Sequence, residues 1–375
     1  MIQYDHRPYE EGADDPPITN LPSMEGRSIA LIGGAGFIGH HLAIALRRCG
    51  AEVTVIDSLQ VNHLLAFATP VAGRERSPYV NYLLERLDLL ERWGVRVMVQ
   101  DARDYHALCH ALGEIRPNVI VHLAAVAHAD QSNKNPYSTF DHSLRTLENA
   151  LDNARSSPLN VERFVYFSSS MVYGAFTNPE MTEDAICDPL GIYGALKFAG
   201  EKLVIAYHQV FNLPYTIIRP SALYGERCVS RRVAQMFAES ALRGEEIMVR
   251  GDGAERLDFT YIDDLTQGVI RAIDSPNARN EIFNITYGAG RSLEELVSVL
   301  RERVPGVNVR YLDRDRLSPR RGTLSIDKAR RLIGYEPQFP IERGYARYID
   351  WCATRLECEL SSGEKANAEP LVSAR

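Results

Sequence analysis

Tyr193 and Lys197 stand four positions apart in the stretch Gly-Ile-Tyr-Gly-Ala-Leu-Lys. On a helix, residues at this spacing share one face, so the phenol and the ammonium group would project into the same space. A neighbouring cation favours the ionised form of a phenol, whose ordinary pKa is about 10. A tyrosine held in this way is a usable base for taking the proton of an alcohol or sugar hydroxyl. The same spacing also occurs by chance on surface helices, so its meaning depends on the surrounding motifs.

Three serines, Ser168, Ser169 and Ser170, follow the apolar run Arg163-Phe-Val-Tyr-Phe. A hydroxyl at the end of a strand can hydrogen-bond a reacting sugar oxygen and relay its proton to Tyr193. Serines are also common turn residues, and this alternative stays open for the run taken alone.

Short apolar runs alternate with amphipathic stretches through the first part of the chain, a pattern typical of a parallel, doubly wound α/β sheet. The runs begin at Ser28, Glu52, Val95, Val119, Arg163 and Tyr215. Beyond about Tyr224 the pattern becomes irregular, with helical periodicity at 229–243 and 292–303. We therefore predict a sheet domain over residues 27–220 and a smaller, irregular C-terminal substrate lobe over 221–351. The two are partly interleaved, because the helix after Phe259-Thr-Tyr-Ile-Asp-Asp-Leu could return to the first domain.

An insertion of about residues 69–94 separates the second and third predicted strands, and Tyr79 to Trp93 form an amphipathic pattern within it. We expect this helix to cover the sheet rather than to bind a partner. Residues 1–26 and 359–375 are polar and lack sustained apolar periodicity, so we expect two mobile tails.

A glycine-rich motif lies between the first predicted strand and the helix after it, with Gly33, Gly36 and Gly39 spaced three apart around Phe37 and Ile38. Such glycines permit a tight turn and let the backbone approach a pyrophosphate at the helix N-terminus, as in Rossmann-type dinucleotide sites. Asp57 ends the second strand, where a carboxylate accepts hydrogen bonds from ribose hydroxyls and repels a 2′-phosphate. NAD is therefore favoured over NADP. Asp101, after the third strand, is placed to meet the adenine, or it is a simple turn residue.

The composition fits a globular protein, with 375 residues, 45% hydrophobic and 24% charged. No apolar run approaches the roughly 20 residues of a membrane span, and the acidic, proline-containing N-terminus does not resemble a secretory signal, so we expect a cytoplasmic protein. Six cysteines without metal-type spacing indicate reduced thiols. A net charge of −7 with scattered basic residues argues against nucleic acid as a partner.

Taken together, these residues resemble the extended short-chain dehydrogenase/reductase family and its nucleotide-sugar epimerases, such as UDP-glucose and UDP-glucuronate 4-epimerases. The resemblance covers roughly residues 28–351 and includes His122-Leu-Ala-Ala, Arg219-Pro-Ser-Ala-Leu-Tyr-Gly and Lys328-Ala-Arg-Arg-Leu-Ile-Gly. It implies that Ser169, Tyr193 and Lys197 are catalytic, with Ser169, Ser170 and Tyr193 at the substrate. It also implies NAD contacts from Ala102, Leu123, Ala124, Ala125, Tyr193 and Lys197.

The resemblance also indicates which reaction to expect. Dehydratases, decarboxylating relatives and 3,5-epimerases carry an acid or a cysteine shortly after the catalytic serine, where this chain has Ser170 and Met171. We therefore expect inversion at C4 of a UDP- or dTDP-hexose or hexuronic acid through a transient 4-keto intermediate. The alternatives are a 4-ketoreductase or dehydrogenase with net redox change, and a non-catalytic NAD-binding scaffold.

Departures from the family pattern affect the substrate contacts. Ala222 stands where relatives often have asparagine, and Arg256 stands one residue before the usual arginine position. We expect diphosphate contacts from Arg256 and Arg316, with Arg314, Arg320 and Arg321 as further members of a cluster that could equally be a solvated basic loop. No metal is expected. Additional apolar residues on the helices near 136–155 and 190–210 favour a homodimer; they include Phe140, Leu147, Leu203 and Val204.

Overall fold

The structure is a computed structural model that describes residues 21–60, 79–126, 129–156, 158–314 and 319–368, with side chains described for all of these except 129–131 and 357–368. Strands are numbered in chain order: β1 (Ser28–Ile32), β2 (Glu52–Asp57), β3 (Arg96–Val99), β4 (Val119–His122), β5 (Arg163–Phe167), β6 (Glu180–Met181), β7 (Tyr215–Arg219), β8 (Leu223–Tyr224), β9 (Ile247–Arg250), β10 (Arg256–Leu257), β11 (Thr260–Tyr261), β12 (Glu281–Asn284), β13 (Arg291–Ser292), β14 (Val309–Leu312) and β15 (Thr323–Leu324).

The α-helices are likewise numbered in chain order: α1 (Phe37–Arg48), α2 (Tyr79–Arg92), α3 (Tyr105–Ile115), α4 (Ala129–Lys134), α5 (Pro136–Phe140), α6 (Thr146–Ala154), α7 (Gly191–Phe211), α8 (Val233–Leu242), α9 (Ile262–Asp274), α10 (Leu293–Arg303), α11 (Asp327–Ile333) and α12 (Ile341–Ala368). A π-helical turn, Asp141–Arg145, joins α5 to α6, and a 3₁₀ turn, Ser170–Tyr173, follows β5.

Seven parallel strands form the central sheet in the order β12-β7-β5-β4-β1-β2-β3. Alternate residues of β1 enter separate cores, with Ile29 and Leu31 on one face and Ala30 and Ile32 on the other. This alternation follows from the pleat of a strand that is covered by helices on both faces. The predicted Rossmann-type, doubly wound fold is confirmed.

The seventh strand comes from beyond the predicted sheet domain. β12 pairs with β7 at the sheet edge, and α9 packs against α1, so the chain after residue 220 does return to the sheet. The remaining strands form four two-stranded pairs, β10-β13, β11-β8, β14-β9 and β15-β6. The exact division into a sheet domain and a substrate lobe remains a prediction.

The structure describes part of each segment that the sequence predicts to be a tail. Met24 is fully buried and its amide donates to the Cys49 carbonyl at 2.7 Å, so residues 21–26 pack on the domain, and only residues 1–20 of the predicted N-terminal tail lie outside the described chain. At the other end α12 continues to Ala368, into the segment predicted to be a tail, and residues 369–375 are not described.

The insertion helix matches α2, whose apolar face includes the buried residues Val80, Leu83 and Leu90; the part of the insertion before residue 79 lies outside the described ranges.

Of the apolar residues expected to form a dimer surface, Leu147 and Val204 are buried in the second core, because α6 and α7 pack on each other, and Leu203 packs against that core. Phe140 is 48% exposed. Within the described ranges, no helix has the length and apolar character that crossing a membrane requires.

Candidate functional site

The sheet order reverses between β1 and β4, and the loops that follow these two strands meet at the crevice where α/β proteins bind ligands. Gly33 follows β1 with φ of 83°, and a Cβ atom there would lie 2.6 Å from the Ala124 amide nitrogen. Only glycine tolerates both the left-handed backbone and this close approach. The amides of Leu123 and Ala124 both donate to the Ile32 carbonyl, at 2.8 and 3.0 Å, which fixes the second loop against the first.

Helix α1 begins at this crevice. Gly36 is its N-cap residue, Phe37, Ile38 and Gly39 form its first turn, and no side chain in the described ranges caps it. Uncapped amides at a helix N-terminus form a site for phosphate oxygens. The glycine loop and the open helix end therefore fit the pyrophosphate of a dinucleotide.

Asp57 connects the end of β2 to the glycine loop. One carboxylate oxygen accepts from the Ala35 amide at 2.9 Å, and the other accepts from Leu59 at 2.8 Å. Burial raises the pKa of Asp57, and these backbone bonds oppose that rise. The residue thus holds the loop and presents a carboxylate beside the place where a ribose would lie.

Asp101 lies next to the end of β2, where Gln60 donates to its carboxylate at 3.5 Å. The Arg103 side chain bonds the same carboxylate, and this bond lowers the pKa of Asp101. Ala102 is buried, as is Ala125 beyond β4. All the predicted cofactor contacts from the glycine loop to Ala125 therefore lie at the carboxyl edge of the sheet.

The predicted catalytic residues lie after β5 and on the helix that packs against the turn there. Tyr193 and Lys197 lie on α7, and the Lys197 ammonium donates to the Phe167 carbonyl at 2.7 Å, two residues before Ser169. The Ser169 hydroxyl accepts from the Met171 amide at 3.2 Å, and Tyr193 is partly exposed. At Gly194 an added Cβ would lie 2.8 Å from the Met171 carbonyl oxygen, so glycine allows the start of α7 to pack on the serine turn.

The environment of Lys197 lowers the pKa of its ammonium group. Burial lowers the pKa of Lys197 to about 8, while the charge of Glu201 one turn later raises it. Beneath it, burial and the Lys197 charge lower the pKa of His122 to about 3, so this histidine is neutral. Because a pKa of about 8 lies above neutral pH, the lysine keeps its positive charge at pH 7 beside a neutral histidine.

A buried ion pair supports this region and was not foreseen from the sequence. The Arg219 guanidinium donates twice to the Glu201 carboxylate, at 2.7 and 2.8 Å, and the Ser168 hydroxyl donates to the same carboxylate at 2.5 Å. Arg219 also donates to the Tyr173 hydroxyl at 2.9 Å. The pair links α7, β5, β7 and the turn after Ser169. Glu201 lies on the same helix as Tyr193 and Lys197, and Arg219 is the first residue of the Arg-Pro-Ser-Ala-Leu-Tyr-Gly motif. Their positions in the sequence do not indicate that the two side chains are in contact.

A second charged group reaches the site from the C-terminal lobe. The Arg321 guanidinium contacts the Met171 sulfur and lies within electrostatic range of Tyr193. The Ser170 hydroxyl is buried, with no hydrogen-bond partner among the described residues. The sequence shows Arg321 as one of four clustered arginines, and nothing in it indicates that Arg321 is the one beside Met171.

Arg256 and Arg316 are the two arginines predicted to contact the diphosphate. Arg256 bonds the Gly290 carbonyl and lies 3.5 Å from Glu295 on the exposed side of β10. Arg316 lies outside the described residues. In the described ranges, no three or more His, Cys, Asp or Glu side chains are grouped as metal ligands would be.

Comparison with known proteins gives consistent matches. Residues 29–286, more than half of the chain, match the NAD dependent epimerase/dehydratase family. UDP-glucuronate 4-epimerase 3 of Arabidopsis thaliana is 29% identical over 353 residues, which cover 88% of this chain and 77% of that protein.

Two solved structures have the same fold over nearly their whole length. The UDP-glucuronic acid 4-epimerase of Bacillus cereus, in complex with UDP-glucuronic acid and NAD, has a TM-score of 0.77 at 26% identity and covers 88% of this chain and 99% of its own. The UDP-glucose 4-epimerase of Thermotoga maritima, with UDP-glucose, has a TM-score of 0.76 at 26% identity and the same coverage. On the evidence of the family match, the glycine loop and the Ser169, Tyr193 and Lys197 arrangement, this chain belongs to the NAD-dependent epimerase/dehydratase family.

Proposed function

We propose that the protein is an NAD-dependent nucleotide-sugar 4-epimerase that inverts C4 of a UDP-hexose or UDP-hexuronic acid. One observation supports this proposal: Ser169 follows β5, and Lys197 on the Tyr193 helix donates to the last carbonyl of β5. The resemblance adds that Met171 stands where relatives with other reactions carry a second acid or base. A thioether transfers no protons at neutral pH, so elimination and epimerisation at other carbons lack a group at this position. The names of the relatives, which are 4-epimerases of UDP sugars, support the same reaction.

In this proposal Tyr193 takes the proton of the C4 hydroxyl and later returns a proton to the 4-keto oxygen. A bound NAD would supply the hydride acceptor and donor that oxidation and reduction at C4 require. Lys197 supplies a positive charge on the same helix as Tyr193, and Ser169 donates a hydrogen bond to the sugar oxygen. The glycine loop, Asp57 and the open end of α1 hold the dinucleotide.

The test is incubation of the purified protein, with and without added NAD, with UDP-glucose, UDP-glucuronate, UDP-N-acetylglucosamine and dTDP-glucose. Proton NMR follows sugar configuration while absorbance follows the reduced cofactor. We expect a C4-inverted sugar without accumulation of reduced cofactor. Reduced cofactor formed in proportion to product would instead identify the dehydrogenase alternative, and NAD binding without turnover of any sugar would favour the scaffold alternative.

Tyr193→Phe provides the residue-level test. Loss of the phenolic oxygen removes the proposed base, so turnover should fall by about 10²-fold or more while NAD still binds. Near-normal turnover in this variant would contradict the role assigned to Tyr193. Because a phenyl ring keeps the packing of the phenol, a difference caused by misfolding would also appear as lost NAD binding.

The finer assignments are proposals as well. We propose a cytoplasmic homodimer, supported by the free described cysteines and by the exposed apolar side chains Phe140, Val210 and Phe211. Sedimentation showing only monomer at micromolar concentration would contradict the dimer. Arg256 and Arg316 remain the proposed diphosphate contacts, to be checked by the affinity of their alanine variants for UDP.

A further inference from the structure

Backbone hydrogen bonds of the residues on either side hold the backbone of Arg321 in place. The preceding carbonyl, of Arg320, accepts a bond from the Phe176 amide at 2.8 Å. Two residues later Thr323 begins β15, which pairs with β6. These attachments on both sides fix the backbone of Arg321, so the fold sets where its side chain begins.

The side chain points toward the reacting groups. The guanidinium contacts the sulfur of Met171, two residues after Ser169, and interacts electrostatically with Tyr193. Gly194, next to Tyr193, packs on the carbonyl of the same Met171. Arg321 therefore lies on the Met171 side of the space that a sugar would occupy beside Tyr193.

The charge of Arg321 has no partner within ion-pair distance among the described residues. The acid that acts on it most strongly is Glu255, and Arg232 is a second cation nearby. Burial lowers the pKa of Arg321, as expected of a cation that loses water without gaining a carboxylate. A partly buried guanidinium that donates to a thioether, with no carboxylate at ion-pair distance among the described residues, is costly to maintain unless a ligand supplies the missing acceptor.

The position of Arg321 indicates which ligand group that is. A side chain that lies next to Tyr193 and the sugar C4 is close to the substituents on C3 and C5. The diphosphate is attached to C1, on the opposite side of the sugar ring from C4. The anionic substituent available next to C4 in a nucleotide sugar is a carboxylate on C5. A guanidinium fork matches a carboxylate with two parallel hydrogen bonds.

We propose that Arg321 is a specificity residue that binds the C5 carboxylate of a hexuronic acid and so selects a nucleotide hexuronate over a neutral hexose. This inference rests on the proposed function and narrows its substrate class. It adds a residue of the C-terminal lobe to a site whose catalytic groups come from the sheet domain.

Binding measurements test the proposal without requiring turnover. The Tyr193→Phe protein, loaded with NAD, is titrated calorimetrically with UDP-glucuronate, UDP-glucose and UDP. With Arg321 intact we expect UDP-glucuronate to bind about tenfold or more tightly than UDP-glucose. Adding Arg321→Gln should bring the two affinities together and leave the affinity for UDP unchanged.

Arg331→Gln on α11 is the matched control, since it removes the same charge from an exposed residue outside the arginine cluster and should keep the preference. Equal affinities for the two sugars with Arg321 intact would overturn the proposal, as would a loss of UDP affinity in Arg321→Gln, which would assign the arginine to the diphosphate. If Arg321→Gln does not fold, Arg321→Lys takes its place, since it keeps the charge but loses the paired guanidinium hydrogen bonds and should reduce the preference. Uronate preference without C4 inversion by the unmodified protein would refute the epimerase assignment alone.

Discussion

Replacing Glu201 by glutamine keeps the size of the side chain but removes the charge that neutralises Arg219. Both side chains are almost completely buried, at 1% and 3% exposed, and two bonds of 2.7 and 2.8 Å join them. Removing one partner of such a pair leaves an uncompensated buried charge and typically costs about 3–5 kcal/mol. That is a large part of the roughly 5–15 kcal/mol that stabilises a folded domain.

Urea unfolding of Glu201→Gln at pH 7 measures this loss, with Glu148→Gln as a control. Glu148 is paired with Arg145 at 2.9 Å on the exposed face of α6, and its loss should cost less than about 1 kcal/mol. Adding Arg219→Met to Glu201→Gln should recover part of the stability, because the buried charge is then removed. A loss below 1 kcal/mol in Glu201→Gln, or a double variant less stable than the single, would refute this account of the pair.

The same change should act on catalysis through Lys197. Glu201 raises the pKa of Lys197, so without it the lysine loses its proton at lower pH. The alkaline limb of the kcat/KM profile of Glu201→Gln should therefore move to lower pH, while NAD affinity at pH 6.5 changes little. An unmoved alkaline limb would show that the charge of Glu201 does not reach the catalytic lysine.

Three further predictions concern Lys197, the glycine loop, and Asp258, a buried carboxylate that accepts from the amides of Gly288 and Leu324. Because burial lowers the pKa of Lys197 to about 8, epimerase activity should fall above about pH 8 in a kcat/KM profile, and constant activity to pH 10 would contradict this. Gly33→Ala would bring a methyl group within 2.6 Å of the Ala124 amide at φ of 83°, so NAD affinity should fall at least tenfold, as measured by fluorescence titration. Burial raises the pKa of Asp258 from 3.8 to about 7, so the native state holds this proton between those values and its stabilising effect is lost as pH rises through 7. Unfolding at pH 5 and pH 7 should show a larger loss of stability in the wild type than in Asp258→Asn, by up to about 1.4 kcal/mol per pH unit, and equal losses would contradict this role of Asp258.

The sequence was most informative where local pattern decides structure. β1, β5 and β7 occur where short apolar runs predict them, because strands buried on both faces must be apolar throughout. The glycine loop was equally clear, since its backbone geometry admits few other residues. These local constraints were sufficient to predict the doubly wound sheet and the cofactor crevice.

Long-range contacts could not be predicted in the same way. β12 is a four-residue strand that begins with Glu281. It belongs to the central sheet because it pairs with β7, which lies more than sixty residues earlier in the chain. The apolar residues Leu147 and Val204 suggested a dimer surface, but they fill the contact between α6 and α7. In a cluster of four arginines, nothing in the residue types distinguishes Arg321 from its neighbours, and only the pairing of β15 with β6 sets it beside Met171.

The central claim is that C4 is oxidised and then reduced again by the same hydride. UDP-glucuronate deuterated at C4 provides the most direct test, with proton and deuterium NMR of the equilibrated sugars in ordinary water. The account predicts that the C4 epimer keeps its deuterium at C4 and gains no solvent hydrogen at that carbon or at C5. Loss of the label to water, or inversion accompanied by exchange at C5, would contradict the assignment of Tyr193, Lys197 and Ser169 to a 4-epimerase.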